Sequence, residues 1–169
     1  MSKPQFDNLS IKEIFRQSDF SGKTVLILST WFGSGLLPIA PGTFGTVAAL
    51  PLIVVSAYLA PIYKILALGI ITVVAIWSSG RCQELLGQGD PAEVVIDEVA
   101  GFLLAMLFLP FSCLTLILGF ILFRFFDILK PYPINRLERL RGGFGIVMDD
   151  LLAGLYAYLG VRIILLFTG

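Results

Sequence analysis

VAGFLLAMLFLPFSCLTLILGFILF, Val99 to Phe123, is the stretch on which the fold turns. It carries no charge, and a bilayer-crossing helix needs about 20 predominantly apolar residues, so it could span once. A single crossing would leave Asp97 and Glu98 on one side of a membrane and Arg124, Asp127 and Lys130 on the other. Pro110 offers a different solution, because it has no backbone N–H to donate and Ser112 can cap a new helix two residues later. Two short helices, about Glu93 to Leu109 and Cys113 to Leu129, then form a hairpin that returns the chain to its starting face. Charges near a bilayer are costly and tend to pair or to line a working site. The hairpin gathers every charged cluster at one interface and is the reading adopted here.

Composition supports a lipid surrounding. Hydrophobic residues make up 57% of the chain and charged residues 14%, with a mean hydropathy of +0.90; soluble domains are about a quarter charged. Net charge is zero, so no basic excess points to nucleic acid. Cys82 and Cys113 have no metal-ligand spacing and read as packing residues. Near the start, Lys3, Lys12, Arg16 and Lys23 are mixed with Asp7, Glu13 and Asp19. That is not the order of a cleavable signal peptide. Residues 1–23 are therefore expected to be an amphipathic surface segment, and residues 24–169 a membrane-embedded helical domain.

Working outward, Thr24 to Ala60 is interrupted by Gly33, Gly35, Pro38, Pro41 and Gly42, and reads as a short helix, a loop and a second helix from about Thr43. Ile65 to Ser79 is a plausible short span after a turn at Pro61. Leu151 to Phe167 is the last, with Arg162 able to snorkel to an interface. Gly142, Gly143 and Gly145 are expected to form a flexible loop before it. The fold class is thus all-α, a polytopic membrane bundle of about five embedded helices with a broken first segment and a short hairpin around Pro110. Lys3, Lys12, Arg16, Lys23, Arg81, Lys130, Arg136, Arg139 and Arg141 then share one face, which the positive-inside rule makes cytoplasmic.

Histidine is absent. That excludes Ser-His-Asp and Cys-His nucleophiles, His-based zinc sites and phosphohistidine chemistry. Carboxylates remain, grouped as Asp97 with Glu98, Asp127, and Asp149 with Asp150, each at the end of an apolar helix. Hard oxygen ligands with few nitrogens or thiolates favour magnesium or manganese. Arg124, Asp127 and Lys130 fall three apart, about 60° round a helix from one another, and form a polar stripe with the carboxylate between two cations. Gly101 and Gly154 each follow a carboxylate by four residues, which lets a helix or ligand approach closely. In PGTFGT, Pro41 to Thr46, glycines at a helix start expose N–H groups to an anion, with Thr43 and Thr46 adding hydroxyls. Each feature also has a plainer reading: a structural ion pair for Arg124 and Asp127, dipole-favoured residues for Asp149 and Asp150, a turn and cap for PGTFGT, and headgroup contacts for Arg136, Arg139 and Arg141.

The motifs FGSGLLPIAPGTFGT (Phe32–Thr46), IDEVAGF (Ile96–Phe102), FRFFDILKPYPI (Phe123–Ile134) and GGFGIVMDDLLAG (Gly142–Gly154) together resemble the phosphatidylglycerophosphatase A family, in order and spacing. The resemblance covers most of the chain from about Trp31. It implies a magnesium-dependent bacterial inner-membrane enzyme, multi-pass with its active site facing the cytoplasm. Such an enzyme removes the terminal phosphate of a phospholipid substrate, phosphatidylglycerophosphate, to leave phosphatidylglycerol. On that resemblance Asp97, Glu98, Asp127, Asp149 and Asp150 are the metal and catalytic carboxylates. Arg124 and Lys130 would neutralise phosphoryl charge, and Pro41, Gly42, Thr43, Gly45 and Thr46 would cradle the phosphate. Which carboxylate acts as base or nucleophile stays open.

Two other readings compete. The chain lacks the spaced aspartates of the CDP-alcohol phosphotransferases. A small transporter or channel would line a path with broken helices and midplane charges. Here the charges cluster at one expected interface and leave the far side bare, which favours surface chemistry; acidic clusters on opposite faces would favour the transporter.

Overall fold

A computed structural model describes residues 11–87, 89, 91–137 and 142–168; Lys3, Asp7, Arg139 and Arg141 lie outside them. The described residues are helical, with no strand among them. They form α1 (Ile11–Gln17), α2 (Phe20–Ser29), α3 (Pro41–Ala48), α4 (Leu50–Ala57), α5 (Pro61–Leu86), α6 (Ile96–Met106), α7 (Cys113–Leu129), α8 (Ile134–Leu137) and α9 (Gly143–Thr168).

The stretch from Val99 to Phe123 folds as a hairpin. α6 ends at Met106, and α7 starts after Ser112, whose side chain accepts from the Thr115 amide while the Thr115 hydroxyl accepts from the Ser112 amide. This reciprocal cap satisfies two backbone donors that the break at Pro110 would otherwise strand. Contacts along the hairpin run antiparallel. Phe102 stacks on Phe123 and meets Phe120 edge-on, and a β-carbon at Gly119 would lie 2.6 Å from the Met106 sulfur. The first helix of the pair is shorter than the expected Glu93 to Leu109, because the chain from Pro91 to Val95 is held outside the helix; the Val95 amide donates to the Ser29 carbonyl at 2.9 Å.

α9 packs along both arms of the hairpin, and small residues set its depth. A β-carbon at Gly101 would stand 2.6 Å from the Asp150 carbonyl oxygen, and one at Gly154 would strike the Gly101 carbonyl. The close approach expected beside these glycines is therefore made by α6 and α9 against each other. Gly143 and Gly145 belong to α9 rather than to a flexible loop. Gly143 lies directly on the Ile76 carbonyl of α5, so the absence of a side chain there serves helix contact instead of mobility. In consequence Asp149 and Asp150 stand inside α9, beyond its first turn, which removes the simple dipole reading of the pair.

α5 is longer than the expected Ile65 to Ser79, since nothing between Pro61 and Leu86 breaks it. It and Gly143–Phe167 of α9 are long and apolar enough to cross a membrane. Only 17% and 28% of their apolar windows are buried, which is not the pattern of a soluble core helix. Ile65, Leu66, Ile70 and Val73 of α5, Ile117, Ile121 and Ile128 of α7, and Leu159, Ile163 and Leu166 of α9 are all exposed. A belt of that extent marks a surface that meets a membrane or another apolar partner. Of the five embedded helices expected from the sequence, these two have the length to span.

The helix directions place one set of ends together: the start of α3, the end of α5, the start of α6, the end of α7 and the start of α9. The opposite end is not bare as expected, since Lys64 in the first turn of α5 and Arg162 late in α9 lie there. α1 and α2 pack at the site end, where Ile14, Val25 and Leu26 join Cys82, Ile96 and Val147 in one buried cluster. α2 runs on through the Lys23–Thr24 position.

Candidate active site

The convergent helix ends hold the carboxylates. Asp97 and Glu98 occupy the first turn of α6, Asp127 the last turn of α7, and Asp149 and Asp150 the second turn of α9. Asp97, Asp149 and Asp150 are buried, and Glu98 and Asp127 nearly so. The carboxylates of Asp97, Asp127, Glu98 and Asp149 all act electrostatically on that of Asp150. Residues scattered over fifty-odd positions of chain thus form one acidic cluster, and the transporter arrangement with acids on opposite faces is not the one adopted.

Two cations stand within it. The Arg124 guanidinium donates through Nη1 to Asp127 Oδ2 at 2.6 Å and to Glu98 Oε1 at 3.2 Å. Lys130 Nζ donates to Asp149 Oδ2 at 2.6 Å. The Arg124–Asp127 pair follows from the three-residue spacing; the bridge onward to Glu98 closes the hairpin and was not legible locally. The expected continuous stripe ends before Lys130. That residue is the C-cap of α7 with left-handed backbone, φ 43° and ψ 57°. This conformation is unfavourable for a residue with a β-carbon by about 1–2 kcal/mol and is typical of functional sites. It swings the ammonium off the helix face to Asp149.

PGTFGT also meets the cluster. α3 starts at Pro41 after a left-handed Ala40 and has no side-chain cap. The Glu98 carboxylate packs directly over Gly42 and Gly45: a β-carbon at Gly42 would collide with Glu98 Oε1, and one at Gly45 would lie 2.8 Å from Oε2 and 2.6 Å from Val95 Cβ. The two glycines make room for an acidic side chain at the positive end of the helix. Thr46 is buried and its hydroxyl donates back to the Gly42 carbonyl at 2.8 Å, whereas Thr43 is half-buried. The signal for this docking was present in the sequence as small residues three apart, but its partner was not.

Among the described residues, five carboxylates and two cations meet here in a largely buried place. Buried charge without compensation is costly. Asp149 Oδ1 is buried and makes no hydrogen bond among the described residues. All-oxygen donors and a buried carboxylate oxygen without a hydrogen bond among the described residues fit a hard divalent cation. Among the described residues no three acidic side chains already surround one point; Arg124 and Lys130 hold three of the five.

Comparison with known proteins gives the family. The family model described as phosphatidylglycerophosphatase A matches residues 27–165. A Bacteroides thetaiotaomicron protein named putative phosphatidylinositol-3-phosphatase is 35% identical over 82% of this chain and 91% of its own. Proteins named phosphatidylglycerophosphatase A from Haemophilus influenzae and Escherichia coli are 37% and 35% identical, over 80% and 76% of this chain and 85% and 76% of theirs. No solved structure matches significantly.

Proposed function

The chain belongs to the phosphatidylglycerophosphatase A family, and from that premise and the geometry of its acidic cluster we propose that it is a magnesium-dependent phosphatase of phosphatidylglycerophosphate. The observation that carries the reading is the gathering of five carboxylates and two cations at one end of an apolar bundle. A lipid phosphomonoester presents its phosphate just above the acyl chains, at the depth where these helix ends lie. The basic residues Lys12, Arg16, Arg81, Lys130 and Arg136 belong to that same end, which faces the cytoplasm of a bacterial inner membrane. α5 and α9 cross the bilayer, and the shorter α3–α4 and α6–α7 pairs enter it.

Asp97 and Asp150, with Glu98 or Asp149, would hold Mg²⁺, and bound there the ion supplies positive charge at the phosphate oxygens and acidifies water. The protein's own groups do the rest. Arg124, aimed by its bond to Asp127, and Lys130, released from Asp149, neutralise charge developing on the phosphoryl oxygens. Asp127 is a positioning residue whose role is to fix the guanidinium. Water attacks phosphorus in line, its proton passes to a carboxylate of the cluster, and the bond to the lipid oxygen breaks with that oxygen taking up a proton. The start of α3 would offer backbone N–H groups to the phosphate once the Glu98 carboxylate, which packs over Gly42 and Gly45, moves aside.

The test is phosphate release by the purified full-length protein in detergent. Phosphatidylglycerophosphate, phosphatidylinositol 3-phosphate and phosphatidic acid are compared, each with Mg²⁺ or EDTA, beside Asp150→Asn. Release from phosphatidylglycerophosphate that needs Mg²⁺ and is lost in the variant is the expected result. A faster rate on phosphatidylinositol 3-phosphate would transfer the assignment to that lipid, and inactivity of a folded wild type on all three would end the phosphatase reading. Thermal stabilisation by Mg²⁺ that disappears in Asp150→Asn checks the ion site without reference to turnover.

A further inference from the structure

The first two helices enclose a groove that shares no residue with the acidic cluster. It has a volume of about 490 Å³ and is walled by Phe15 of α1, Ile27 of α2, and Phe32 and Leu36 of the following segment, with Lys12 and Arg16 also lining it. Sites for small ligands span ~300–1,000 Å³, so the space is ample for a hydrocarbon chain. All four apolar residues are exposed, Phe32 to 71%. The wall offers little to a polar guest: Thr30 spends its hydroxyl on the Leu26 carbonyl at 2.7 Å and on the Gly33 amide at 3.1 Å. A third cation, Lys23, lies 5.9 Å from the centre of the Phe15 ring.

We propose that this groove seats one acyl chain of an anionic membrane phospholipid, with the headgroup phosphate between Lys12 and Arg16. Charge complementarity selects the occupant. An apolar slot bounded by basic side chains matches a molecule that is hydrocarbon at one end and anionic at the other, and a neutral lipid or a protein helix would leave those cations unmatched. Position agrees, since α1 and α2 are fastened by Cys82 and Val147 to the end of the bundle where the charged residues lie. That is headgroup level in the membrane reading. The site is separate from the one that reacts and does not rest on the phosphatase assignment.

The experiment is native mass spectrometry of the full-length protein, delipidated in detergent and titrated with phosphatidylglycerol or phosphatidylcholine of matched chains. Four variants accompany it: Leu36→Trp and Ile27→Trp to fill the groove, Lys12→Glu with Arg16→Glu to reverse its charge, and Asp150→Asn as the reaction-site control. Each basic group near an anionic lipid contributes a factor of roughly five, so the charge reversal should weaken phosphatidylglycerol binding about thirtyfold or more. The groove fillers should abolish the adduct, and Asp150→Asn should leave it. Equal retention of phosphatidylcholine, persistence of the adduct in the surface charge variant, or its loss in Asp150→Asn would each overturn the proposal. A two-copy species that vanishes in Leu36→Trp, with no lipid adduct, would give the groove to a second copy of the chain instead.

Discussion

Gly101→Ala adds one methyl group at the crossing of α6 and α9, four residues from Asp97 and against the backbone of Asp150. The new carbon would sit 2.6 Å from the Asp150 carbonyl oxygen and 2.7 Å from Phe123 Cε2, whereas ordinary contact starts at 3.4 Å. The ring of Phe123 can tilt; the carbonyl belongs to a helix and cannot. α9 must therefore retreat from α6 by roughly 0.8 Å, the shortfall in that contact. Overpacking of this kind costs about 1–3 kcal/mol of stability. A displacement near 1 Å at a reacting group can cost about 10²-fold in rate, so turnover should fall by one to two orders of magnitude, more than the fraction unfolded explains. The measurement pairs phosphate release with a melting curve in the same detergent. Gly69→Ala is the control, because nothing lies within 4 Å of its new carbon; in mid-helix it should be neutral or add about 0.5–1 kcal/mol. Wild-type turnover and melting temperature in Gly101→Ala would refute the claim that the glycine crossing sets the spacing of Asp97 and Asp150.

Arg124→Lys keeps the charge but places it on a shorter side chain, away from the Nη1 position that donates to both Asp127 Oδ2 and Glu98 Oε1, and removes the other guanidinium donors; kcat/KM should drop about 10²-fold, and a change under threefold would remove Arg124 from the phosphoryl site. Lys130→Gly relieves the left-handed backbone at φ 43° yet leaves Asp149 without its 2.6 Å partner, so a loss of turnover at least tenfold is expected with the helices intact by circular dichroism. Ser112→Ala deletes half of the capping box and should lower stability by about 1 kcal/mol while kcat stays within twofold, which thermal melts and the same phosphate assay separate.

The hairpin at Pro110 could be read from the sequence because its determinants are local: a proline, a capping hydroxyl and charge at both ends. The acidic residues could be listed for the same reason, since nothing else in a histidine-free chain offers comparable chemistry. Their pairing could not. Lys130 looks like the third member of a helical stripe until the chain leaves the helix at that residue, and only the fold brings Asp149 to it. Gly143 and Gly145 look like loop glycines, because a glycine that frees the backbone and one that admits a neighbouring helix are written the same way. The neighbour of Gly143, the Ile76 carbonyl, lies far away in the chain.

Asp150 stands seven residues into α9, and at 1.5 Å per residue its carboxylate lies about 10 Å below the helix start. In the proposed reaction a phosphate hydrolysed at that depth would separate into two products with different homes. The inorganic ion can leave only toward water, along the charged helix ends, while the lipid alcohol is already among the acyl chains and can drift sideways past the exposed flanks of α5, α7 and α9. In the proposed reaction the bilayer would therefore sort the products as they form, the ion to water and the alcohol to lipid.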